Sequence, residues 1–233
     1  VTPPLELKLL RPLVTATELE RRWHILEGAG IVVAPVVGSD GTLYVTTGRG
    51  AGYSSFHAIA PSGEIRWQSP PQRSLDDLDS GAVLSAPVLA DDGDVYIGDS
   101  NQFHAFRPGG ERKWVVELDA IGARGPFVTG VIVGANVGGI TVHGQVLLFD
   151  RGTGELAAPV FELPGGASPE GPVPGFLWKE GLVDPEIRES VLQVLLGYHF
   201  EVTNTPAVHP ATGRIYLMAA GPDVDAGAFY GLD

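Results

Sequence analysis

The sequence writes one phrase twice. FHAIAPSGEIRW runs from Phe56 to Trp67, and FHAFRPGGERKW runs from Phe103 to Trp114, 47 residues later. A second shared phrase stands before each copy. Ala34-Pro35-Val36-Val37 leads to Asp40-Gly41-Thr42-Leu43-Tyr44-Val45, and Ala86-Pro87-Val88-Leu89 leads to Asp92-Gly93-Asp94-Val95-Tyr96-Ile97, at an offset of 52. The five-residue difference falls in the loop 48–55. Repetition at about 40 to 50 residues means an array, a solenoid or a propeller, because each unit is one supersecondary element that cannot bury its apolar faces alone.

The content of the unit selects among these. An Asp-Gly turn joins two short runs rich in β-branched and aromatic residues, FHAIA is a third run, and the PSGE turn leads to a fourth, IRWQ. That is four short antiparallel strands per period. The 3.6-residue apolar pattern of a helical solenoid is missing from these units. Radial stacking of four-stranded sheets buries each face against a neighbour, so the expected fold is all-β, a β-propeller of four-stranded antiparallel blades. The 32 Gly and 19 Pro suit a chain with many turns.

Weaker copies extend the pattern. Gln145 to Asp150 followed by Gly152-Thr153-Gly154-Glu155 matches the later half of the unit. Thr205-Pro206-Ala207-Val208, then Gly213 to Leu217, then Phe229 to Asp233, forms another. At the front, Glu18 to Trp23 resembles the end of a unit. Trp23, Trp67 and Trp114, 44 and 47 residues apart, are read as the structural Trp of the repeat. Blade-like units are expected at 31–67, 83–118, 126–163 and 198–233 within a single domain, 1–233, interrupted by an insertion at 164–197. At roughly 45 residues per blade the chain holds about five blades' worth of sequence. The last unit reads as ending on its third strand. The expectation is therefore a portion of a longer propeller, or one that another chain completes.

The insertion opens with a Gly- and Pro-rich loop, 164–175. Asp184-Pro185-Glu186 then reads as a helix start, with Ile187, Val191, Val194 and Leu195 on one face of a helix over about 185–196. The insertion reads as a cap over one rim of the propeller or as a docking element. In the second case Phe176, Leu177 and Trp178 are the partner-binding anchors, since aromatic residues dominate interface energetics.

Charge and composition exclude several functions. The formal net charge of −13 opposes binding to a phosphate backbone or to anionic lipid. With no Cys there is no disulfide, thiolate metal site or Cys nucleophile. No apolar run is long enough for a transmembrane helix, and the first residues lack the basic start and cleavage site of a signal peptide. Asp76-Asp77-Leu78-Asp79-Ser80-Gly81 gathers oxygen ligands, so Asp77 and Asp79 are the calcium candidates. The run lacks the later Glu of an EF-type loop, and a solvated inter-blade loop is the competing reading. His57 and His104 occupy the same place in two units, which reads as blade architecture. Gly48-Arg49-Gly50-Ala51-Gly52 resembles a phosphate loop but leads into a strand, without the helix N-terminus that binds anions. No His-x-x-x-His spacing or catalytic triad is present, and no catalytic residue is assigned.

These units resemble the PQQ-like, quinoprotein-type propeller repeat. The matching residues are Ala34-Pro35, Asp40-Gly41, His57-Ala58-Ile59 and Gly63 to Trp67, then Ala86-Pro87, Asp92-Gly93, His104-Ala105-Phe106 and Gly110 to Trp114. The resemblance covers most of the chain and fails over 164–197. It implies a periplasmic or extracellular bacterial protein of one of two kinds. One is a non-catalytic, BamB-like binding, assembly or structural propeller of the cell envelope, working through protein partners or other subunits. The other is a dehydrogenase using PQQ and calcium to oxidise alcohols or sugars, for which Asn136, Asn204 and Asp184 are conceivable contributors. The adjacent Cys pair that stacks on the quinone in alcohol-oxidising members has no counterpart here.

Overall fold

A computed structural model describes residues 22–31, 33–48, 55–70, 77–141, 143–163, 207–220 and 227–232. Among the described residues the regular elements are β-strands, apart from two short 3-10 turns, η1 (Ser80–Ala82) and η2 (Asp119–Ile121). The expected helix over 185–196 lies outside them.

The strands form four antiparallel sheets, each following chain order. The first contains β1 (Val36–Val37), β2 (Leu43–Thr47), β3 (Ser55–Ile59) and β4 (Ile65–Gln68). The second contains β5 (Val88–Leu89), β6 (Val95–Gly98), β7 (Gln102–Phe106) and β8 (Arg112–Glu117). The third contains β9 (Phe127–Val133), β10 (Asn136–Thr141), β11 (Gln145–Asp150) and β12 (Phe161–Glu162). The fourth holds β13 (Ala207–Val208), β14 (Ile215–Ala220) and β15 (Gly227–Leu232). The offset between the two best copies is absorbed between second and third strands: β2 ends at Thr47 and β3 begins at Ser55, whereas β6 ends at Gly98 and β7 begins at Gln102.

Registers make the sheets superimposable position by position. Leu43 opposes Ile59, Val95 opposes Phe106, and Val137 opposes Phe149. Side chains alternate between faces, so each sheet presents two apolar faces, and each face is covered by the next sheet. Tyr44, Phe56 and Ala58 meet Val95, Ile97 and Phe106 between the first and second sheets. Tyr96, Phe103 and Ala105 meet Val137, Leu147 and Phe149 between the second and third. Val131, Ile140 and Val146 meet Ile215 between the third and fourth. The first strands of three sheets converge on one cleft, lined by Val36, Val37, Val88, Leu89, Thr129 and Gly130. Successive face-packed sheets with their first strands turned inward are the blades of a β-propeller.

The three repeated tryptophans perform one operation three times. Each lies at the outer end of one unit and docks on the last turn of the next. Trp23 donates its indole N–H to the Pro61 carbonyl at 2.9 Å, Trp67 to Pro108 at 2.8 Å, and Trp114 to Arg151 at 3.1 Å. Beneath each indole lies a glycine at positive φ: Gly63 (+90°), Gly110 (+93°) and Gly154 (+77°). A Cβ at these positions would stand 2.6, 2.7 and 2.8 Å from the ring carbons of Trp23, Trp67 and Trp114. Glycine is therefore required twice over, for the left-handed backbone and for the indole's approach. The aromatic layer continues inward: Trp67 stacks on Phe106 at 5.9 Å and meets Phe56 edge-on at 5.4 Å.

This contact can be tested against a control. Gly122 also has positive φ (+73°) but nothing near its missing Cβ. Gly122→Ala should cost only left-handed strain, about 1–2 kcal/mol. Gly110→Ala adds overlap with Trp67 and should cost about 3 kcal/mol or more in all. Trp67→Phe, losing the indole hydrogen bond, should cost about 1 kcal/mol beyond its smaller ring area. Urea unfolding midpoints measure the order, and equal midpoints for the two glycine variants would refute the docking account.

Candidate functional site

The cleft on the inner strands is the candidate site. It has a volume of ≈ 370 Å³ and is walled by Val36 and Val37 of β1, the segment 85–87, Val88 and Leu89 of β5, and Thr129 and Gly130 of β9. The inner strands β1 and β5 are two residues long; Val88 and Leu89 of β5 are half-buried against the inter-blade cores. Val37 is 62% exposed at its mouth. On the far wall, Val88 packs so closely on Gly130 that its Cγ2 occupies the place of a Cβ there. Ser85 and Thr129 bring the only polar side chains to this lining. Such a surface can take up apolar side chains and offers few polar groups to orient a small polar substrate.

The residues expected to ligate calcium are partly engaged in building a turn. Asp79 is buried and its Oδ1 accepts the Gly81 N–H at 3.1 Å, capping η1. The backbone N–H of Asp79 donates to Asp99 Oδ2 at 2.8 Å. Asp77 is half-buried at the start of the same segment. Among the described residues, no three His, Cys, Asp or Glu side chains are grouped to hold a metal ion. Asp99 Oδ1 also accepts the N–H groups of Asn101 and Gln102, each at 2.8 Å. Asp99 thus fastens the loop between β6 and β7 to the connection entering the second blade.

The register equates Thr47, Asp99 and Thr141, and Thr141 Oγ1 caps its own turn by accepting from His143 and Gln145. The aspartate is therefore one solution to a loop-capping problem that threonine solves in the third blade. The sequence alignment of Tyr44 with Tyr96 also pairs Thr47 with Asp99, but the pairing carries no signal until the N–H groups that fold back onto Asp99 are seen. His57 and His104 lie at equivalent places on β3 and β7, opposite Val45 and Ile97. His57 Nε2 lies 3.1 Å from Thr47 Oγ1, the pair counterpart to His104 and Asp99. Asn136 begins β10 and is not among the residues lining the cleft. Phe176, Leu177, Trp178, Asp184 and Asn204 lie outside the described residues, as does the loop 49–54.

Charges at the turns are local. Thr42, through its hydroxyl and its backbone N–H, and the Arg66 guanidinium 2.6 Å away hold the Asp40 carboxyl well below the usual carboxylate range. Arg151 pairs with Asp92 at 3.1 Å, joining the second and third blades beside the Trp114 contact. Burial, with Arg124 adding repulsion, pushes the His143 imidazole below its ordinary value. The neutral ring is thus the form the fold favours.

No family model matches the chain, and no curated protein does. Among solved structures it is similar to the computationally designed Ika4 protein, with a TM-score of 0.50 and 12% identity over 88% of this chain and 92% of that one. It is also similar to BamB from Moraxella catarrhalis (TM-score 0.48, 14% identity, 86% of this chain and 49% of that one). The quinohemoprotein alcohol dehydrogenase from Comamonas testosteroni gives a TM-score of 0.41 and 21% identity, over 56% of this chain and 21% of that one. The chain spans about half the length of the BamB chain and about a fifth of the dehydrogenase. At these identities the likeness is one of fold.

The His143 environment predicts a pH dependence. The unfolded chain binds a proton at His143 more readily than the native one. Its stabilising contribution is complete above the ordinary imidazole value of 6.5 and is lost as pH falls through the lower folded-state value. His143→Gln should flatten the decline in stability between about pH 7 and pH 5. Urea titrations at several pH values measure this, and parallel curves for both proteins would refute it.

Proposed function

We propose that the protein is a non-catalytic binding or assembly propeller of the bacterial cell envelope, acting through protein–protein interaction in the periplasm or outside the cell. The carrying observation is the inner-strand cleft: a solvent-open surface on which Val36, Val37, Pro87, Val88 and Leu89 stand beside the polar Ser85 and Thr129, with no charged side chain among the described lining residues. Apolar side chains at a solvent-open cleft suit an anchor residue from a partner protein. The PQQ-like repeat residues support the envelope assignment. No helix among the described residues is long and apolar enough to cross a membrane.

PQQ carries carboxylates and needs cationic and polar partners, with oxygen ligands for its calcium. The cleft lining offers no Arg or Lys and no carboxylate. Asp79 is committed to its own turn and Asp99 to three backbone N–H groups. This lining and these two aspartates therefore do not fit that cofactor. The insertion residues Phe176, Leu177 and Trp178 are proposed as a second contact region.

Val37→Asp places a charge at the cleft mouth on an exposed position, so the fold should persist. Capture of a reproducible partner from native envelope extract should fall at least tenfold for this variant, and deletion of 164–196 should weaken it separately. Unchanged capture by Val37→Asp would remove the cleft from the proposal. Dye reduction after reconstitution with PQQ and Ca²⁺, with an alcohol and sugar panel, would overturn the non-catalytic reading.

A further inference from the structure

A column of polar side chains on the second blade has no part in the cleft. His104 and Gln102 alternate on β7 with Phe103 and Ala105, so they share a face with Phe106, which is packed in the core between the first two blades. Both are 0% exposed, and Ser100 just before the strand is also buried. Neither ring nitrogen of His104 makes a hydrogen bond, nor does Gln102 Oε1 or Ser100 Oγ. Asp99 Oδ2 lies 3.7 Å from His104 Nε2, beyond hydrogen-bonding range, and already accepts the Asp79 N–H.

The repeat contains its own comparison. Gln145 in the third blade is the counterpart of Gln102, and each donates from Nε2 to the glutamate facing it on the neighbouring strand, Glu162 and Glu117. In the third blade Gln145 Oε1 accepts the Arg124 N–H at 2.9 Å from the connection between β8 and β9. In the second blade the corresponding connection directs the Asp79 N–H to Asp99 instead, and Gln102 Oε1 receives no donor. Leu147 stands where His104 stands, so the third blade has no ring nitrogens to satisfy. In the second blade the orphaned atoms are thus concentrated on consecutive same-face positions, and in the first blade Ser55 Oγ also lacks a partner.

We propose that this column binds at least two water molecules sealed between the first and second blades, forming a hydrogen-bonded joint in place of the apolar packing used between the second and third. Buried polar groups are nearly always partnered, by protein or by ordered water. Neutral imidazole has one donor and one acceptor nitrogen, and water serves either. The two nitrogens point away from each other, so one molecule cannot reach both. Gln102 Oε1 and Ser100 Oγ supply the additional partners that a buried water requires.

A crystal structure at about 1.5 Å resolution or better should show spherical density within about 2.6–3.2 Å of each His104 ring nitrogen. A column without such density overturns the proposal. Density with several oxygen ligands at about 2.3–2.6 Å would mean a cation and overturns it equally. Stability gives an independent readout. His104→Leu strands the waters and should raise the unfolded fraction about tenfold, while His104→Gln, which keeps a donor and an acceptor, should raise it less. In a dry column His104→Leu would instead lower the unfolded fraction, and that result refutes the proposal.

Discussion

Three successive units are each held to the next by an indole laid across a glycine turn, and between the third and fourth sheets Val133 stands over the turn glycine Gly213 instead. A four-stranded sheet has two apolar faces and cannot stand alone in water, so the position of each sheet is set by its neighbour. The indole adds direction to that otherwise non-directional packing. Its N–H selects one carbonyl, Pro61, Pro108 or Arg151, and its ring selects one residue lacking a Cβ. The contact runs from the outer end of one unit to the last turn of the next, so it fixes the order of blades as well as their spacing. The third turn shows how tightly this is held. It carries one residue more than the others, with Gly154 bonded back to Asp150 where Gly110 is bonded back to Arg107, and it still brings its glycine under Trp114.

Most of this was legible in the sequence because it is local and repeated. Asp-Gly turns, alternating short strands and Trp at a near-constant spacing are dictated by neighbours within a few residues, and each blade repeats the same solution. The propeller, the turn role of Asp91-Asp92-Gly93-Asp94 and the equivalence of His57 and His104 follow from those patterns. The partner of each Trp was not legible. A periodic Trp reads as core within its own blade, whereas the ring here docks on the next one. The carboxylates at 77–81 were ambiguous for a related reason: whether a short run of Asp binds a cation or caps a turn depends on which N–H groups fold back onto it. Asp79 meets Gly81, while Asp99, unremarkable in the sequence, collects three N–H groups from two segments.

The blades diverge where their connections pass between sheets. The segments 77–85 and 118–126 do equivalent work, contributing Leu78 and Val83 to one inter-blade core and Leu118 and Ala123 to the other. They differ in where they send backbone donors: Asp79 to a carboxylate at the loop, Arg124 to a glutamine on the strand. Gln145 Oε1 has its donor, and the next residue on the same face is Leu147; Gln102 Oε1 has none, and the next residue on the same face is His104.

The same geometry limits where recognition can occur. Because sheet faces are consumed by neighbouring blades, the surfaces left for other molecules are strand edges, turns and connections. The turns are occupied with capping and ion pairs, as at Asp40 with Arg66 and Asp92 with Arg151. The inner edges are different. Strands β1 and β5 are two residues long; Val88 and Leu89 of β5 are half-buried against the inter-blade cores, and Val37 of β1 stands exposed at the cleft. Under the proposed function, an acidic protein with such a cleft would attract a basic partner by charge and retain it by burial of apolar side chains. Salt would then slow such a complex's formation more than it hastens its dissociation, because screened long-range attraction governs encounter while desolvated apolar contact governs escape.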